Sequence, residues 1–444
     1  MKKKTFPGGI HVHGGKKTAP LPILKLRPVG EAVYPLLQHI GKPAVPVVQK
    51  GDTVLVGQRI ADAADGLSTC ICAGVSGTVK AIEKRLTVSG NRVMSIVIDN
   101  DGAYTPIPKM GQELDFHDIN NEQIRQIARE AGIVGLGGAG FPTDAKLTPA
   151  DDEEIEYVII NGAECEPYLT SDYRMMVEQS DALLGGIRVL LKMFRNAKAV
   201  IGIEDNKPEA IKLLTHLTDG HPDISVHSLK TKYPQGGERS LIYAITGRKV
   251  HSGLLPFQVG CLVINVATVI ALYRAIFECT PLITRVITLS GNAFRNPGNY
   301  EAPIGCSLAE VVDIAGGLSA DPEKMIVGGP MMGTQITTLD LPVQKTTSAV
   351  LAFKHDYATR QPETACIHCG RCIRSCPAGL LPQIMVRLVR KGDMAEFERV
   401  GGMECVSCGS CSYMCPAHIR LTQRFVQAKA AVIKERRRGK EEKK

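Results

Sequence analysis

The sequence predicts a multidomain α/β protein whose last domain is helical and rich in cysteine. The chain has 444 residues, 44% of them hydrophobic and 22% charged. This is ordinary globular composition, and the length is enough for three or four separate cores. Short apolar runs alternate with helical patterns through the middle of the chain. Eight of the 14 cysteines fall between residues 366 and 415 in a repeated spacing.

The first hundred residues are rich in Gly, Pro and Val, in short alternating runs. Residues 47–58 predict two strand pieces around a turn, and residues 73–79 begin another strand. The pairing looks like the barrel-sandwich hybrid of lipoyl and biotinyl carrier domains, and we assign residues 1–118 to such a domain. Carriers of this kind place a modified lysine in the turn, but no lysine lies between Lys50 and Lys80. Packing or docking is therefore the preferred role.

Residues 119–282 predict an α/β layer with a mostly parallel sheet. The runs at 157–161, 199–203 and 261–265 are short and apolar, as in buried strands. Between them, residues 187–194 and 210–217 have the spacing of helix faces. A short helix with apolar positions 124, 127, 128 and 131 precedes this layer and ends at Gly132.

A small strand-and-helix module is predicted at residues 283–344. It has a strand at 285–291, a Pro-Gly turn at 297–298 and a helix at 307–315. After a polar stretch, residues 345–426 form the cysteine-rich domain, in which 380–400 has a helical pattern. The last predicted helix, residues 421–438, runs into a basic end that we separate as residues 427–444.

The formal charge of +8 is concentrated at the two ends of the chain, at residues 2–4 and 436–444. Solvated tails are the preferred interpretation. A basic end is also suited to an anionic membrane surface or an acidic redox partner. The longest apolar stretch, 259–273, is interrupted by polar residues and is shorter than the ~18 residues that suggest a membrane span. No apolar segment follows the basic start, so we expect neither a span nor a secretory signal.

The cysteines form two runs with one spacing, C-x-x-C-x-x-C-x-x-x-C-P. In two-cluster ferredoxins, three cysteines of such a run bind one 4Fe-4S cluster and the fourth binds the other cluster. This predicts two crossed sets of ligands. The first cluster takes Cys366, Cys369, Cys372 and Cys415, and the second takes Cys405, Cys408, Cys411 and Cys376. A pair of structural zinc sites is the alternative, but zinc sites usually come from separated C-x-x-C pairs.

A glycine loop, Gly135-Leu-Gly137-Gly-Ala-Gly140, matches G-x-G-x-x-G. The dinucleotide fingerprint needs a strand before the loop and a helix directly after it. Here a helix precedes the loop and Phe141-Pro-Thr follows, so the ordinary Rossmann interpretation is weak. The loop remains a run of small residues that could lie flat against a ligand and offer N–H groups to a phosphate. A simple tight turn is the alternative.

Three ordered segments carry a family resemblance. Residues 137–143 with Lys146 resemble the flavin loop of the NADH-binding flavoprotein subunit of respiratory complex I. Residues 161–167, Asn-Gly-Ala-Glu-Cys-Glu-Pro, and 233–238, Tyr-Pro-Gln-Gly-Gly-Glu, resemble two further segments of that flavoprotein. The opening Phe6-Pro-Gly-Gly-Ile-His-Val and the two cysteine runs are not complex I features. With them, nearly the whole chain resembles the C subunit of the Rnf electron-transport complex.

The resemblance implies a Rossmann-like FMN/NADH domain at 119–282 and a β-grasp module of the soluble-ligand-binding type at 283–344. Residues of the three segments, with one asparagine after the third strand, would bind the cofactors. The implied FMN residues are Gly135, Gly137, Gly138, Gly140, Lys146, Asn161 and Asn265. The implied NADH residues are Phe141, Glu166 and Glu238, and the matching segments add Glu164, Tyr233 and Gly236 to the cofactor site.

Each of these residues also has a structural interpretation when taken alone. Glu166 and Glu238 could be carboxylates at helix starts, Lys146 a solvated lysine and Phe141 a core residue. The agreement of three segments in the same order favours a ligand site. No catalytic acid or base is expected, because hydride passes directly between the nicotinamide and flavin rings.

The parts together predict an electron path linking NAD(H), FMN and two 4Fe-4S clusters to membrane-embedded redox subunits. In the Rnf family the overall reaction is electron transfer between ferredoxin and NAD, coupled to sodium or proton movement. We expect a peripheral protein on the cytoplasmic face of the membrane, reached by ferredoxin only through the complex and without a nucleic-acid partner. The alternatives are a cobalamin reductase of a bacterial microcompartment and a non-enzymatic iron–sulfur wire or scaffold.

Overall fold

The N-terminal domain consists of two small antiparallel sheets. The computed structural model describes residues 3–111 and 119–441. The strands of this part are β1 (Ile23–Lys25), β2 (Ala32–Pro35), β3 (Val45–Pro46), β4 (Thr53–Val54), β5 (Arg59–Asp62), β6 (Ile71–Cys72), β7 (Gly77–Leu86) and β8 (Arg92–Asn100). One sheet has the order β2-β8-β7-β4 and the other β3-β5-β6. Strands therefore lie on both sides of the turn predicted near residue 50, as in a sandwich.

The central domain is a parallel sheet between helices, as predicted. Its elements are α1 (Asn121–Glu130), α2 (Thr143–Lys146), β9 (Tyr157–Gly162), α3 (Ser171–Glu178), α4 (Ser180–Met193), β10 (Lys198–Glu204), α5 (Pro208–Leu217), β11 (Ile224–Leu229), α6 (Glu238–Thr246), β12 (Cys261–Asn265) and α7 (Val266–Phe277). Helices α4 and α7 cover one face and α6 the other. Both faces are buried, which explains the continuous apolar runs. Strand β11 was not predicted, because its sequence, Ile-Ser-Val-His-Ser-Leu, lacks the continuous apolar run that located the other strands.

The strand order β11-β10-β9-β12 sets the position of a crevice. The chain passes from β9 outward through β10 to β11, then returns to the other side of β9 as β12. Ligands of open α/β sheets bind at the carboxyl ends of strands where the order reverses in this way. Asn161 of β9 and Asn265 of β12 are register partners at that edge.

The third part is a mixed sheet with one helix. Its elements are β13 (Thr284–Gly291), β14 (Gly298–Pro303), α8 (Leu308–Ile314), β15 (Lys324–Val327), β16 (Thr334–Ile336) and β17 (Ala349–Phe353). The order is β1-β14-β13-β17-β15-β16, so β1 of the N-terminal region forms one edge. Strand β17 lies beyond the boundary that we drew at residue 344. It pairs with β13, some sixty residues upstream, and a local pattern does not reveal such a pairing.

The C-terminal part is helical, as predicted. It contains α9 (Arg371–Ser375), α10 (Pro382–Lys391), α11 (Met394–Arg399), α12 (Ser410–Tyr413) and α13 (Leu421–Glu441). The predicted helical stretch at 380–400 is two helices, because Gly392 adopts φ +76° and ends α10. Met385, Phe397 and Phe425 fill the core between α10, α11 and α13. Of the basic ends, residues 1–2 and 442–444 lie outside the described residues. Among the described residues, no helix has the length and apolar character to cross a bilayer.

Lys345 joins three parts of the molecule. Its ammonium nitrogen donates to the carbonyl oxygens of Cys70 (2.6 Å) and Gly132 (2.7 Å), and its backbone N–H donates to Gln38 (3.1 Å). The residue is only 1% exposed. Burial lowers the pKa of the Lys345 ammonium to about 8. Lys345 thus links the N-terminal domain and the turn that follows α1 to the segment before β17 of the third sheet.

Replacing Lys345 with Met should destabilise the protein by about 2–4 kcal/mol, because two buried carbonyl groups lose their donor. The first midpoint of thermal or urea unfolding measures the effect. Lys212→Met is the control, since Lys212 is exposed on α5. Equal midpoints for the two variants would show that the Lys345 hydrogen bonds add nothing to stability.

Candidate functional site

The eight C-terminal cysteines line two separate cavities. We call them the outer cavity and the inner cavity. The outer cavity is lined by Cys366, Cys369, Cys372 and Cys415. The inner cavity is lined by Cys405, Cys408, Cys411 and Cys376. Each takes three cysteines from one run and the fourth from the other, so the structure brings together the two sets that the spacing predicts for crossed ligation.

The two runs follow the same backbone path. His368 and Ser407, which occupy equivalent positions, both have a positive φ (56° and 55°). The glycine after the second cysteine is also left-handed in each run, with φ +70° at Gly370 and +81° at Gly409, and it precedes a short helix. Repeated spacing therefore produces repeated geometry, with three thiols wrapped around one space.

The shape of the cavities fits a polynuclear cluster. A zinc ion needs four sulfurs about 2.3 Å from one point. In the part of the chain that the structure describes, no three His, Cys, Asp or Glu side chains converge in that way. The four thiols of each set instead line the wall of one cavity rather than meeting at a point. The arrangement suits a cube of iron and sulfur.

The inner cavity contacts the central domain through Tyr233. The Tyr233 hydroxyl donates to the carbonyl oxygen of Cys408 at 2.7 Å, and the ring is 1% exposed. Ile10 pairs with Tyr233 and packs in the same apolar cluster as Cys408, Cys165 and Met331. We predicted Tyr233 as a cofactor contact. The structure places its hydroxyl against the backbone of Cys408, which lines the inner cavity.

Residues 3–17, which we call the N-terminal segment, pass beside the inner cavity at Gly8 and Gly9. The Gly9 N–H donates to Ser375 O at 3.0 Å. A Cβ atom at Gly8 would lie 2.4 Å from Cys376 O. Both glycines have a positive φ, so the close approach and the backbone conformation each require glycine. This explains the Pro-Gly-Gly sequence near the start of the chain.

The outer cavity is lined by more exposed residues than the inner cavity. Cys366 and Cys369 are exposed, and Ile367 between them is 66% exposed. Cys408 of the inner cavity, by contrast, is 8% exposed. The outer cavity therefore has two exposed cysteines, whereas no cysteine of the inner cavity, which lies beside the central domain, is exposed.

The glycine loop is a closed, anchored turn. Gly135 N–H donates to Phe141 O (2.8 Å), and Gly140 N–H donates to Gly135 O (3.1 Å). Leu136 is held from both sides, by the Thr268 hydroxyl and by the buried Arg285 guanidinium. Residues 137–139 are exposed. The loop thus presents small residues outward from a rigid base, and a β-carbon at one of them, residue 138 (φ +116°), would meet nothing within 4 Å.

The two strand-end asparagines bring the predicted segments together. Asn161 donates to Gly236 O at 2.9 Å, and Asn265 donates to the Asp172 carboxylate at 2.7 Å. A Cβ atom at Gly137 would lie 3.3 Å from the Cβ of Asn265. The glycine loop, both strand ends and the 233–238 segment therefore border one crevice at the point where the strand order reverses.

Glu164 and Glu166 are buried beside this crevice. The Glu164 carboxylate accepts from the Asp172 N–H (2.8 Å), and the Glu166 carboxylate accepts from the Met331 N–H (3.0 Å). Each has a second oxygen without a hydrogen-bond partner among the described residues. Burial raises the pKa of both carboxyls to about 7. Buried polar atoms are normally paired. The second Glu164 oxygen forms an ion pair with Lys16 at 3.7 Å, so the second Glu166 oxygen is the one suited to a ligand.

Lysines that the sequence did not predict support this segment. The Lys16 ammonium donates to three carbonyl oxygens, of Glu164 (2.9 Å), Glu166 (3.1 Å) and Leu169 (2.6 Å). Lys207, 3% exposed, donates to Ala163 O at 2.6 Å, and burial lowers the pKa of its ammonium. Lys16 lies about 150 residues upstream of its partners, so spacing could not identify it.

Lys146 and Glu238 form an ion pair with an N–O distance of 2.8 Å. Their side chains are 29% and 42% exposed. We predicted them as separate contacts, to FMN and to NADH. The structure places both at one edge of the crevice, between α2 and the first turn of α6, with Phe141 half-buried near the start of α2.

Four family models match the chain in succession. They are the RnfC barrel sandwich hybrid domain at residues 4–103, the Nuo51 FMN-binding domain at 128–274, the SLBB domain at 286–335 and the 4Fe-4S dicluster domain at 359–416. The predicted order of folds is confirmed. The chain carries an FMN-binding domain and a dicluster iron–sulfur domain, which decides against the structural-zinc alternative.

Two curated relatives match nearly the whole chain. The C subunit of the Na(+)-translocating ferredoxin:NAD(+) oxidoreductase complex of Acetobacterium woodii is 41% identical over 99% of each chain. The proton-translocating counterpart of Clostridium ljungdahlii is 42% identical over 87% of this chain and 85% of that one.

A solved NAD+-reducing NiFe hydrogenase in the air-oxidized state shares the fold, with a TM-score of 0.51 and 21% identity, covering 70% of this chain and 66% of its own. The near full-length identity to the curated relatives favours the Rnf interpretation over the microcompartment cobalamin reductase. The chain belongs to the family of C subunits of ion-translocating ferredoxin:NAD(+) oxidoreductase complexes.

Proposed function

We propose that the chain exchanges electrons between NAD(H) and FMN in its central domain and passes them, through two 4Fe-4S clusters, to the other subunits of a ferredoxin:NAD(+) oxidoreductase complex. The observation that carries the proposal is the direct contact of the inner cavity with the central domain, through Tyr233 and Cys408. FMN supplies the change from two-electron to one-electron transfer, because it takes a hydride from nicotinamide and releases electrons singly.

The crevice at the strand ends would hold FMN. The exposed loop of residues 137–139 offers backbone N–H groups and no side chain larger than a methyl, so that a phosphate or ring could approach closely. Gly135 and Gly140 close the turn, and Lys146 lies at its rim. Asn161 and Asn265 stand at the bottom of the crevice, where their amides could orient a ring.

Glu166 would face the nicotinamide side, with Phe141 and Glu238 at the mouth of the crevice, and Glu164, Gly236 and Tyr233 would form the wall behind it. A carboxyl with a pKa of about 7 is partly protonated at neutral pH and can then donate a hydrogen bond. An amide oxygen such as that of nicotinamide is a suitable acceptor. The role of Glu166 is therefore to orient the substrate.

The clusters would act in a fixed order. The inner cluster, held by Cys376, Cys405, Cys408 and Cys411, adjoins the central domain and would exchange electrons with it. The outer cluster would exchange electrons with the rest of the complex, because two cysteines of its cavity are exposed. Its ligands would be Cys366, Cys369, Cys372 and Cys415.

We place the chain at the periphery of the membrane, on its cytoplasmic face, next to membrane-embedded redox subunits. Ferredoxin would act through those subunits. Three features support this position. The relatives are subunits of ion-translocating complexes, so their complexes act across a membrane. NAD(H) is a cytoplasmic substrate. Helix α13 ends in basic residues, which anionic lipid attracts. The rival function, a cluster-bearing wire that binds no NADH, has no use for the crevice that the strand ends and glycine loop border.

Anaerobic addition of NADH to cofactor-replete protein should bleach the flavin absorbance and then reduce the clusters. Gly138→Ala should lower the bound FMN to less than about one tenth, because its β-carbon would enter the open side of the loop. Gly220→Ala is the control, since Gly220 also has a positive φ (84°) and free space around it but lies far along the chain. Flavin that stays oxidised with NADH would favour the wire.

Crossed ligation predicts which cysteine variants share a spectrum. Cys366→Ala and Cys415→Ala should lose the same cluster, and Cys376→Ala and Cys405→Ala the other, although within each pair the residues come from different runs. Each variant should keep about half the iron. Electron paramagnetic resonance of the reduced proteins identifies the cluster that remains. If Cys366→Ala and Cys376→Ala were to lose the same signal, each run would hold its own cluster.

Glu166→Gln should stabilise the protein more at pH 8 than at pH 5. The pKa of Glu166 rises from 4.5 to about 7 on folding, so wild-type stability falls as pH rises through that window, while glutamine does not titrate. The difference in thermal midpoint between variant and wild type should therefore grow with pH. Glu122→Gln is the control on an exposed glutamate. A pH-independent difference would contradict the buried-carboxyl account.

A further inference from the structure

The outer cavity is surrounded by positive charge. Residues 364–392 contain five arginines and lysines and no aspartate or glutamate. Three of these cations are exposed and stand around the cavity, and we call them the arginine rim: Arg371, Arg374 and Arg387. Ile367, which also lines the outer cavity, is exposed.

Contacts place each arginine at the cavity. Arg371 is one of its lining residues. The Arg374 guanidinium donates to Cys369 O at 3.5 Å. Arg387 follows Gln383 by one helical turn on α10, and Gln383 lines the cavity. The three cations thus cluster around one cavity.

No carboxylate neutralises the rim. Within residues 3–111 and 119–441, none of Arg371, Arg374 and Arg387 forms an ion pair, and the nearby Glu363 is already paired with Arg390 and Arg424. Unpaired charge of one sign at a surface attracts a partner of the opposite sign and raises its rate of association.

Compensation of the cluster's own negative charge does not explain the rim. The inner cavity would hold a cluster with the same number of thiolates in a more buried place, where uncompensated charge costs more. Yet no arginine or lysine lines it, and the cation next to it is Lys429, which donates to Cys405 O. The charge is concentrated around the cavity whose cysteines are exposed, which is what a docking face needs.

We propose that the arginine rim and Ile367 form the docking face for another redox subunit of the same complex, one with an acidic surface around its own redox centre. An apolar centre with an arginine border is a common composition of protein interfaces. The proposal rests on the proposed function, since it assumes that electrons leave or enter through the outer cluster.

The test uses the whole complex, purified with wild-type chain or with R371E/R374E/R387E. After anaerobic addition of NADH, stopped-flow absorbance follows the flavin and clusters of this chain and then the redox centres of the other subunits. The reversed rim should leave reduction of the flavin, which lies in another domain, within about twofold and slow onward transfer by at least about tenfold at low salt. The onward rate of the wild type should decrease as ionic strength rises, and the onward rate of the variant should not show this decrease.

Two variants serve as controls. R371K/R374K/R387K keeps the charge and should retain most of the onward rate. K42E/K50E/K84E reverses three exposed charges on the N-terminal domain and should leave the onward rate unchanged. Iron content and thermal midpoint check that each variant is folded and loaded.

The outcomes separate the proposals. Onward transfer that is equal in wild type and R371E/R374E/R387E overturns the docking face. Loss of binding to phosphatidylglycerol vesicles with normal onward transfer also overturns it, because the rim would then face lipid. If NADH reduces no flavin in the wild type, the proposed function fails instead. Binding still decides the docking face in that case, since the reversed rim should release the chain from the complex at lower salt than wild type.

Discussion

The contact between the central domain and the inner cysteine cavity is the constraint on which the rest of the molecule depends. Electron transfer between cofactors weakens steeply with distance, so two well-formed sites are useless unless they are held close together. Here a tyrosine hydroxyl of one domain donates to the backbone carbonyl oxygen of a cysteine of the other. The cis peptide bond between Tyr233 and Pro234 lies in the same loop that contributes Gly236 to the crevice. One loop therefore serves both sites.

The N-terminal segment reinforces this contact. Lys4 pairs with the end of β11, Ile10 pairs with Tyr233, and Lys16 binds three carbonyl oxygens of the 164–169 loop. Between these points the two glycines lie against the inner cavity. A segment with no core of its own thus packs against two domains, and the energy for ordering it comes from contacts spread over both. The N-terminal segment thus helps to hold the inner cavity against the central domain.

The crevice shows how buried charge is tolerated. Two carboxylates and two lysines lie close together behind the strand ends. Both lysines bind main-chain carbonyl oxygens, and Lys16 also forms an ion pair with Glu164. Removing charges from water is costly unless they are paired. The Glu166 oxygen without a hydrogen-bond partner is a cost that a bound cofactor or substrate could offset, because such groups bring their own donors.

The sequence by itself determined the parts whose signals are local. Repeated cysteine spacing predicted both quartets, since all eight ligands lie within fifty residues. Apolar runs located β9, β10 and β12, and the glycine loop was found from its composition. Tertiary structure alone decided the roles of Lys16, Lys207 and β17, because their contacts form only when distant or separately folded segments meet. It also decided that Tyr233 contacts the inner cavity and that two cysteines of the outer cavity are exposed. Spacing records neighbours along the chain, whereas docking depends on surfaces that meet only after folding.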